Sequence, residues 1–352
     1  MIFFGDKSDR EETMIDKKER NHSLDIYKGI CILLIVLTHS KWTDSERLKL
    51  LFPFWVDIAV PIFMIISGYL YSLSFQKHEI DTIGKAYRLK TVLNKVIRYT
   101  LPFLVIFIIE KIIIVLNNGN IGGPVSLLYN FLQGANGPGG YYYPILLQFV
   151  FVFPIIYFII KKYDFKGLIL CAALNFLFEI LKNAYMVKEV SYRLIVLRYV
   201  FVIAFGCYLA VGKKHIKRLE YSACFLAGVT YIIVFKYLGK TPIFTQFWTE
   251  TSFWACMYIL PIAAFLMSKN ISFKPLEIIG KASYNIFLVQ MVYYWCCSEM
   301  IYDRFSFVNK YLILLFNIIV CTVIGIVFYY AETPVTKYVI KKTNGIIDKI
   351  KK

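Results

Sequence analysis

Residues 28–40 read KGICILLIVLTHS, a lysine followed by ten mainly apolar residues and then by a histidine and a serine. As part of a segment near 24–41, this stretch has about the length that an α-helix needs to cross a membrane. Similar apolar segments recur near 52–75, 97–117, 141–160, 166–183, 194–212, 221–239, 250–268, 281–302 and 310–331. Because 58% of all residues are hydrophobic, against roughly 45–50% in soluble domains, we predict an all-α, polytopic membrane protein with about ten transmembrane helices.

The basic residues lie mainly in short pieces between the apolar segments and give the chain a formal net charge of +17. The positive-inside rule places both termini in the cytoplasm. The predicted cytoplasmic loops and tail are 78–98, 161–166, 213–218, 269–274 and 337–352. The loop 117–140 has no charged residue and is predicted to lie outside, whereas the outer loops 41–51 and 183–193 carry Lys and Arg and fit less well. This distribution indicates membrane topology rather than binding to nucleic acid.

The chain contains no internal repeat and no linker that would separate domains. We predict a charged cytoplasmic leader at 1–22, one transmembrane domain at 23–335 and a basic cytoplasmic tail at 336–352. The tail alternates Ile with Lys and is either an amphipathic segment on the inner leaflet or a frayed basic end. The eight cysteines lack the spacing of a metal or redox site and are expected to be free thiols.

One histidine, His39, lies within a predicted span, and ionisable residues at membrane depth are typically functional. It follows Lys28 by eleven positions, about three helical turns and about 16 Å, so both side chains would face one cavity. Asp25, one turn before Lys28, could hold the ammonium group. A neutral imidazole can act as a general base toward a hydroxyl. The structural alternative is a histidine hydrogen-bonded to a neighbouring helix or reaching toward the outer surface.

A carboxylate, Asp57, lies at the outer end of the second span, at a depth similar to that of His39. It could fix the imidazole tautomer and stabilise the charged imidazole, as the acid of a catalytic triad does. The alternative is a polar residue near the outer headgroups.

Four stretches of the chain resemble the acyltransferase-3 family of integral membrane acyltransferases. They are SLDIYKGICILLIVLTHS (23–40), VPIFMIISGYLYSL (60–73), KVIRYTLPF (95–103) and SYNIFLVQ (283–290). A basic residue, ten residues and then histidine mark the first helix of that family, and Ser-Gly closes the motif of the second. The chain departs from the family at Lys28, where arginine is usual, and at Gln290, where many members have a second histidine.

The resemblance implies transfer of an acyl group, commonly acetyl or succinyl, from acyl-CoA to hydroxyls of extracytoplasmic glycans or lipid-linked sugars. The polyanionic CoA would bind on the cytoplasmic side to Lys28, Arg88, Lys95 and Arg98, of which Lys95 and Arg98 are neighbours on one helix face. Its pantetheine arm would bring the thioester toward His39. We expect no metal and no permanently bound cofactor.

The acceptor would enter from outside. Tyr141 and Tyr142 either anchor the chain at the membrane interface or stack on the sugar. Arg198 either pairs with Glu179 within the membrane or binds the acyl carbonyl or an acceptor group. Ser67 and its neighbour Gly68 either allow close helix packing or form a small pocket beside the pantetheine arm, and Gln290 is assigned to the same substrate site.

The resemblance further implies a bacterial cell membrane. Association into a homo-oligomer or with envelope glycan-assembly proteins stays open. The main alternative is a transporter or flippase of a lipid-linked glycan, for which repeat symmetry and paired interrupted helices would be expected. A third alternative is a scaffold of an envelope enzyme complex, which would need no motif such as the one around His39.

Overall fold

A computed structural model describes residues 22–117, 119–185, 188–213, 215–242 and 247–350. The predicted leader at 1–22 lies outside these residues except for His22. Helices, and no strands, form the described part of the chain. The helices are α1 (His22–Thr38), α2 (Asp44–Lys49), α3 (Phe52–Trp55), α4 (Ala59–Lys77), α5 (Ile83–Ala86), α6 (Leu89–Leu116), α7 (Pro124–Leu132), α8 (Tyr142–Tyr163), α9 (Phe165–Ala184), α10 (Glu189–Leu194), α11 (Val200–Val211), α12 (Arg218–Ile232), α13 (Phe253–Cys256), α14 (Ile259–Met267), α15 (Lys274–Lys281), α16 (Ser283–Cys296), α17 (Ser298–Arg304) and α18 (Lys310–Ile350).

Each of the ten predicted spans coincides with one helix or with consecutive short helices. Within the described residues, five helical stretches are long and apolar enough to cross a membrane: Phe52–Lys77, Leu89–Leu116, Tyr142–Tyr163, Arg218–Tyr237 and Lys310–Lys349. Large apolar side chains remain exposed along α6 and α18, as expected for helices that face lipid. The protein is therefore an all-α membrane protein, as predicted; the number of spans and the side on which the termini lie stay predictions.

The second predicted span is broken between α3 and α4, around Asp57. Pro61 lies four residues after Asp57. Because proline has no backbone N–H, Pro61 cannot donate a helical hydrogen bond to the carbonyl group of Asp57. Pro261 lies four residues after Met257, at the similar break between α13 and α14. The first break places Asp57 on the wall of a cavity that His39, at the end of α1, also lines.

Glycines let neighbouring helices approach closely at two places in the fold. A Cβ atom built on Gly206 of α11 would lie 1.9 Å from the carbonyl oxygen of Ile65 in α4, and one built on Gly68 would lie 2.2 Å from that of Ile203. Gly280 of α15 contacts the backbone of Asp25 in α1 in the same way. Gly68 thus has the packing role expected for the Ser-Gly motif, and these contacts fix α4 against α11 and α1 against α15.

The last helix, α18, continues from the final span through the basic tail to Ile350. Its 41 residues correspond to about 60 Å, roughly twice the thickness of a bilayer core. Near its end, Asp348 forms an ion pair with Lys90 at the start of α6, with an Nζ–Oδ2 distance of 3.1 Å. The expectation of a frayed tail is wrong for these residues because the helix continues without a break. Contact with the leaflet stays a prediction. All eight cysteines are free, as predicted.

Replacing Gly206 with alanine is expected to destabilise the protein by about 1–3 kcal/mol, because the new methyl group collides with the backbone of α4. The measurement is the midpoint of thermal unfolding in detergent. Gly84→Ala is the matched control, since a Cβ atom there meets nothing within 4 Å. Equal midpoints for the two variants would contradict the proposed packing.

Candidate active site

A cavity of about 770 Å³ lies among α1, α4, the start of α8 and the loops beside the His39 end of α1. It extends along the helices to Lys28, Tyr99 and Ser283. Its volume is in the range of small-molecule binding sites. Six residues assigned to the site from the sequence line this one cavity: Lys28, His39, Asp57, Ser67, Tyr141 and Tyr142.

His39 is the first residue after α1, and its ring contributes to the cavity wall. No described residue forms a hydrogen bond with the ring nitrogens. The end of α1 is held by Tyr294, whose hydroxyl donates to the carbonyl oxygen of Val36 at 3.0 Å and lies 2.8 Å from the hydroxyl of Ser40. His39 is thus fixed through its backbone neighbours while its imidazole can reach a molecule in the cavity.

Lys28 lies on the same cavity wall as His39, as the spacing predicted. Its Nζ is 2.7 Å from Oδ1 of Asp25, the expected partner one turn earlier. The side chain is 20% exposed. Lys28 therefore reaches the cavity with its ammonium group already paired to a carboxylate.

Asp57 lines the cavity but binds Arg47 rather than His39. Oδ1 accepts a hydrogen bond from Nη2 of Arg47 at 2.7 Å, and Arg47 also donates from Nη1 to the Thr38 hydroxyl at 3.1 Å. The predicted contact between Asp57 and His39 is not formed among the described residues, because α2 brings Arg47 to this carboxylate. The sequence signal for Arg47 was its basic charge in a loop predicted to lie outside, where the positive-inside rule disfavours it.

The loop before α8 contacts His39 through Gly139. This residue has a φ of +83°, and a Cβ atom built on it would lie 3.5 Å from Nε2 of His39 and 3.0 Å from the ring of Phe287. Glycine adopts such a φ without strain. Only a residue without a side chain leaves both the backbone turn and the space beside the imidazole unchanged.

A polar network behind this loop holds it in place. Glu110 of α6 is fully buried and forms an ion pair of 2.7 Å with Lys111. Its Oε1 also accepts a hydrogen bond from Nδ2 of Asn136 at 2.8 Å. Asn130 of α7 accepts from Lys111 at 2.6 Å and donates to Asn136 at 2.6 Å. Asn136 itself lines the cavity, so the network connects α6 and α7 to the loop whose Gly139 lies beside His39.

Gln290 was assigned to substrate binding, but the structure places it outside the cavity lining. It is fully buried, and its Nε2 donates to the carbonyl oxygen of Pro138 at 3.1 Å. It therefore supports the residue next to Gly139. At the position of the second histidine in the motif described above, this chain has the amide of Gln290, which positions the loop.

Two tyrosines at the start of α8 face the cavity, and each packs on an aromatic neighbour. The ring centroids of Tyr141 and Trp248 are 4.9 Å apart, and those of Tyr142 and Phe287 are 5.1 Å apart. Trp248 and Phe287 also line the cavity. Trp248 was not predicted as a site residue from the sequence, because its neighbours in the chain carry no motif.

Arg88, Lys95 and Arg98 lie at the start of α6 and do not line the cavity. Arg88 and Arg98 are exposed. Nζ of Lys95 lies 4.1 Å from the centre of the Tyr71 ring, and the Tyr71 hydroxyl is 2.6 Å from that of Tyr99. Because Tyr99 lines the cavity, Tyr71 and Tyr99 separate Lys95 from it.

Arg198 is buried behind the cavity wall. Its Nη2 donates to the Thr251 hydroxyl at 2.8 Å, and its guanidinium lies 4.2 Å from the ring centre of Trp248. Glu179 does not pair with it: Oε1 of Glu179 accepts from the backbone N–H of Phe253 at 2.7 Å. The predicted ion pair between Arg198 and Glu179 is therefore not formed among the described residues. Trp248 and Thr251, which both contact Arg198, line the cavity in its place.

The chemistry of the cavity is that of a base, several hydroxyls and charges, without a recognisable metal site. Within the part of the chain that the structure describes, no three His, Cys, Asp or Glu side chains are grouped to hold a metal ion. The sequence was compared with known families, curated proteins and solved structures. A family model described as an acyltransferase domain, that of the acyltransferase-3 family, matches residues 21–331.

The chain belongs to this family. It is therefore a membrane acyltransferase in general terms, and the cavity around His39 is the candidate active site of that activity. No curated protein and no solved structure matches the chain.

Gly139→Ala is expected to lower acyltransferase activity about tenfold or more, because a side chain at this positive φ strains the turn and crowds the Phe287 ring, which displaces the loop beside His39. The measurement is acyl transfer in membranes with equal amounts of folded protein. Gly123→Ala, in the same outer stretch, is the control, since a Cβ atom there meets nothing within 4 Å. Equal loss in both variants would contradict a specific role for the space beside His39.

Glu110→Gln is expected to destabilise the protein by about 3 kcal/mol, because it leaves the largely buried ammonium of Lys111 without its carboxylate. The double variant Glu110→Gln, Lys111→Gln is expected to recover most of this loss. Unfolding in detergent by heat or denaturant provides the comparison. If the double variant were as unstable as the single one, the ion pair would not be what supports the loop.

Proposed function

We propose that this acyltransferase transfers an acetyl or succinyl group from cytoplasmic acyl-CoA to a hydroxyl of a cell-surface polysaccharide or lipid-linked sugar, with His39 as the general base. The observation that carries the proposal is the position of His39 in a cavity that extends along α1 to Lys28. In the predicted orientation, such a cavity gives a donor from the cytoplasm and an acceptor from outside a common meeting point.

The proposed reaction is a direct acyl transfer. His39 accepts the proton of the acceptor hydroxyl while the oxygen attacks the thioester carbonyl carbon. The carbon–sulfur bond then breaks, and the leaving CoA thiolate takes the proton back from His39. No described residue forms a hydrogen bond with the ring nitrogens of His39. This supports the role of a base, since a base must have a lone pair available for the substrate.

The donor is proposed to approach from the end of the bundle where α6 begins. Arg88 and Arg98 are exposed there and suit the phosphate groups of CoA. Lys28 lies further along the cavity and suits a polar group of the pantetheine arm or the acyl group. Ser67 lines the cavity on this path, and its small side chain leaves room for a narrow chain.

The acceptor is proposed to bind at the opposite end, against Tyr141 and Tyr142. Aromatic rings provide flat apolar surfaces on which a sugar ring can stack. Asp57 is assigned a positioning role, because its ion pair with Arg47 is connected to Thr38, the residue before His39. Arg198 supports this end from behind Trp248.

The proposed setting is the cell membrane of a bacterium, with the bilayer, acyl-CoA and the glycan acceptor as partners. A homo-oligomer or a complex with envelope glycan-assembly proteins would be compatible with the large exposed apolar surfaces of α6 and α18.

His39→Ala is expected to reduce the incorporation of label from radiolabelled acetyl-CoA or succinyl-CoA into envelope glycan by about 10²- to 10⁴-fold, the usual contribution of a general base. Membranes with matched amounts of folded protein are compared. His78→Ala is the control, because His78 is exposed and lies outside the cavity.

Equal incorporation by wild type and His39→Ala would remove His39 as the base. No incorporation by the wild-type protein from either donor would favour a transporter or flippase of a lipid-linked glycan instead.

A further inference from the structure

Arg193 is a cation that lines the cavity, and the proposed function assigns it no role. It belongs to α10, in the loop 183–193 that fits the positive-inside rule poorly. It forms no ion pair with a described residue, and its buried Nε has no hydrogen-bond partner among them. A buried guanidinium nitrogen without an acceptor is costly, so the site is set up for an acceptor from elsewhere.

The other cations of the same cavity have carboxylate partners. Lys28 pairs with Asp25 at 2.7 Å, and Arg47 pairs with Asp57 at the same distance.

Lys236 pairs with Glu250 at 2.5 Å. Asp44 lines the cavity too, but it is exposed and lies in the first turn of α2, where the helix dipole favours a negative charge. The partners of the other cations are thus accounted for, and Arg193 alone among the lining Lys and Arg residues lacks one within the described chain.

The backbone next to Arg193 is fixed by Gln148 of α8. Nε2 of Gln148 donates to the carbonyl oxygen of Leu194 at 2.6 Å, and its Oε1 accepts from the N–H of Val196 at 3.0 Å. These bonds connect the end of α10 to the short 3-10 helix Val196–Tyr199 that follows it. Arg193 therefore projects from a preorganised segment, which reduces the entropy cost of binding.

The surroundings of Arg193 suit a sugar. Tyr141 and Trp248 line the same cavity, with ring centroids 4.9 Å apart. The buried guanidinium of Arg198 lies directly behind Trp248 and adds positive charge to this part of the wall. Two aromatic faces and an arginine without an ion-pair partner in one cavity provide stacking for a ring and a planar hydrogen-bond donor for an oxyanion.

We propose that Arg193 binds an oxyanion, a carboxylate or a phosphate, carried by the acceptor sugar. The acceptor is then an acidic glycan unit or a sugar phosphate rather than a neutral sugar. This inference rests on the proposed function in placing the acceptor at this end of the cavity. The charge on the sugar pairs with Arg193 and thereby directs the hydroxyl toward His39.

The test is isothermal titration calorimetry of the full-length purified protein in detergent, without an acyl donor. The probes are p-nitrophenyl β-D-glucuronide for the carboxylate, glucose 1-phosphate for the phosphate and p-nitrophenyl β-D-glucoside as the neutral sugar. At least one anionic probe is expected to bind more tightly than the glucoside. Arg193→Gln is expected to weaken that probe by about 10- to 100-fold, the loss typical of a hydrogen bond to a charged group, and to leave the glucoside unchanged.

Two further variants keep the test falsifiable if Arg193→Gln affects folding. Arg193→Lys retains the charge without the planar fork and is expected to give an intermediate affinity. Lys188→Gln removes an exposed charge from the same outer segment and is expected to have no effect. The tighter of the two anionic probes identifies the carboxylate or the phosphate as the group recognised.

The proposal is overturned if the anionic probes bind no better than the glucoside, which includes the absence of any binding, or if Arg193→Gln keeps the wild-type preference. An Arg193-dependent preference for succinyl-CoA over acetyl-CoA, without one among the sugars, would place the anion on the donor and also overturn it. Because the calorimetry uses no acyl donor, it separates anion binding from catalysis, and His39→Ala is expected to keep the anion preference. If the wild-type protein transfers no acyl group but shows an anion preference that depends on Arg193, the proposed function is refuted and the anion site is retained.

Discussion

Charged side chains within an apolar bundle need a partner or access to water, and this constraint organises the protein. Removing one member of a buried ion pair is strongly destabilising, so each buried charge fixes the elements that supply its partner. Lys111 and Glu110 connect α6 to the loop before α8 through Asn136. Arg47 and Asp57 connect α2 to the break before α4. These pairs determine which walls surround His39.

The cavity combines rigid walls with a small number of uncommitted groups. His39 is held by the end of α1 and by Tyr294, but its ring nitrogens are free of described partners. Gly139 leaves space beside Nε2, and Gln290 holds the carbonyl group next to that glycine. A site of this kind keeps its geometry fixed before the substrate arrives, which is how preorganised groups reduce the barrier to a reaction.

The two departures from the family motifs have structural explanations in this chain. At the first, the ammonium of Lys28 makes a single contact with Asp25 one turn away, in place of the bidentate contact that a guanidinium could make with a carboxylate. At the second, Gln290 supports a loop through an amide and does not face the cavity. The imidazole of His39 is therefore the only histidine ring lining the cavity within the described residues.

The sequence by itself determined the helical membrane fold, the positions of the long helices and the shared face of Lys28 and His39, because these depend on apolar run length and on the helical repeat. It also determined the pairing of Lys28 with Asp25, a contact between neighbours one turn apart. The partner of Asp57, the burial of Gln290 and the separation of Arg198 from the cavity were decided only by the tertiary structure. These contacts join residues from helices and loops whose relative rotation is set by packing, for example by Gly68 and Gly206 between α4 and α11, and no local pattern in the chain encodes that rotation.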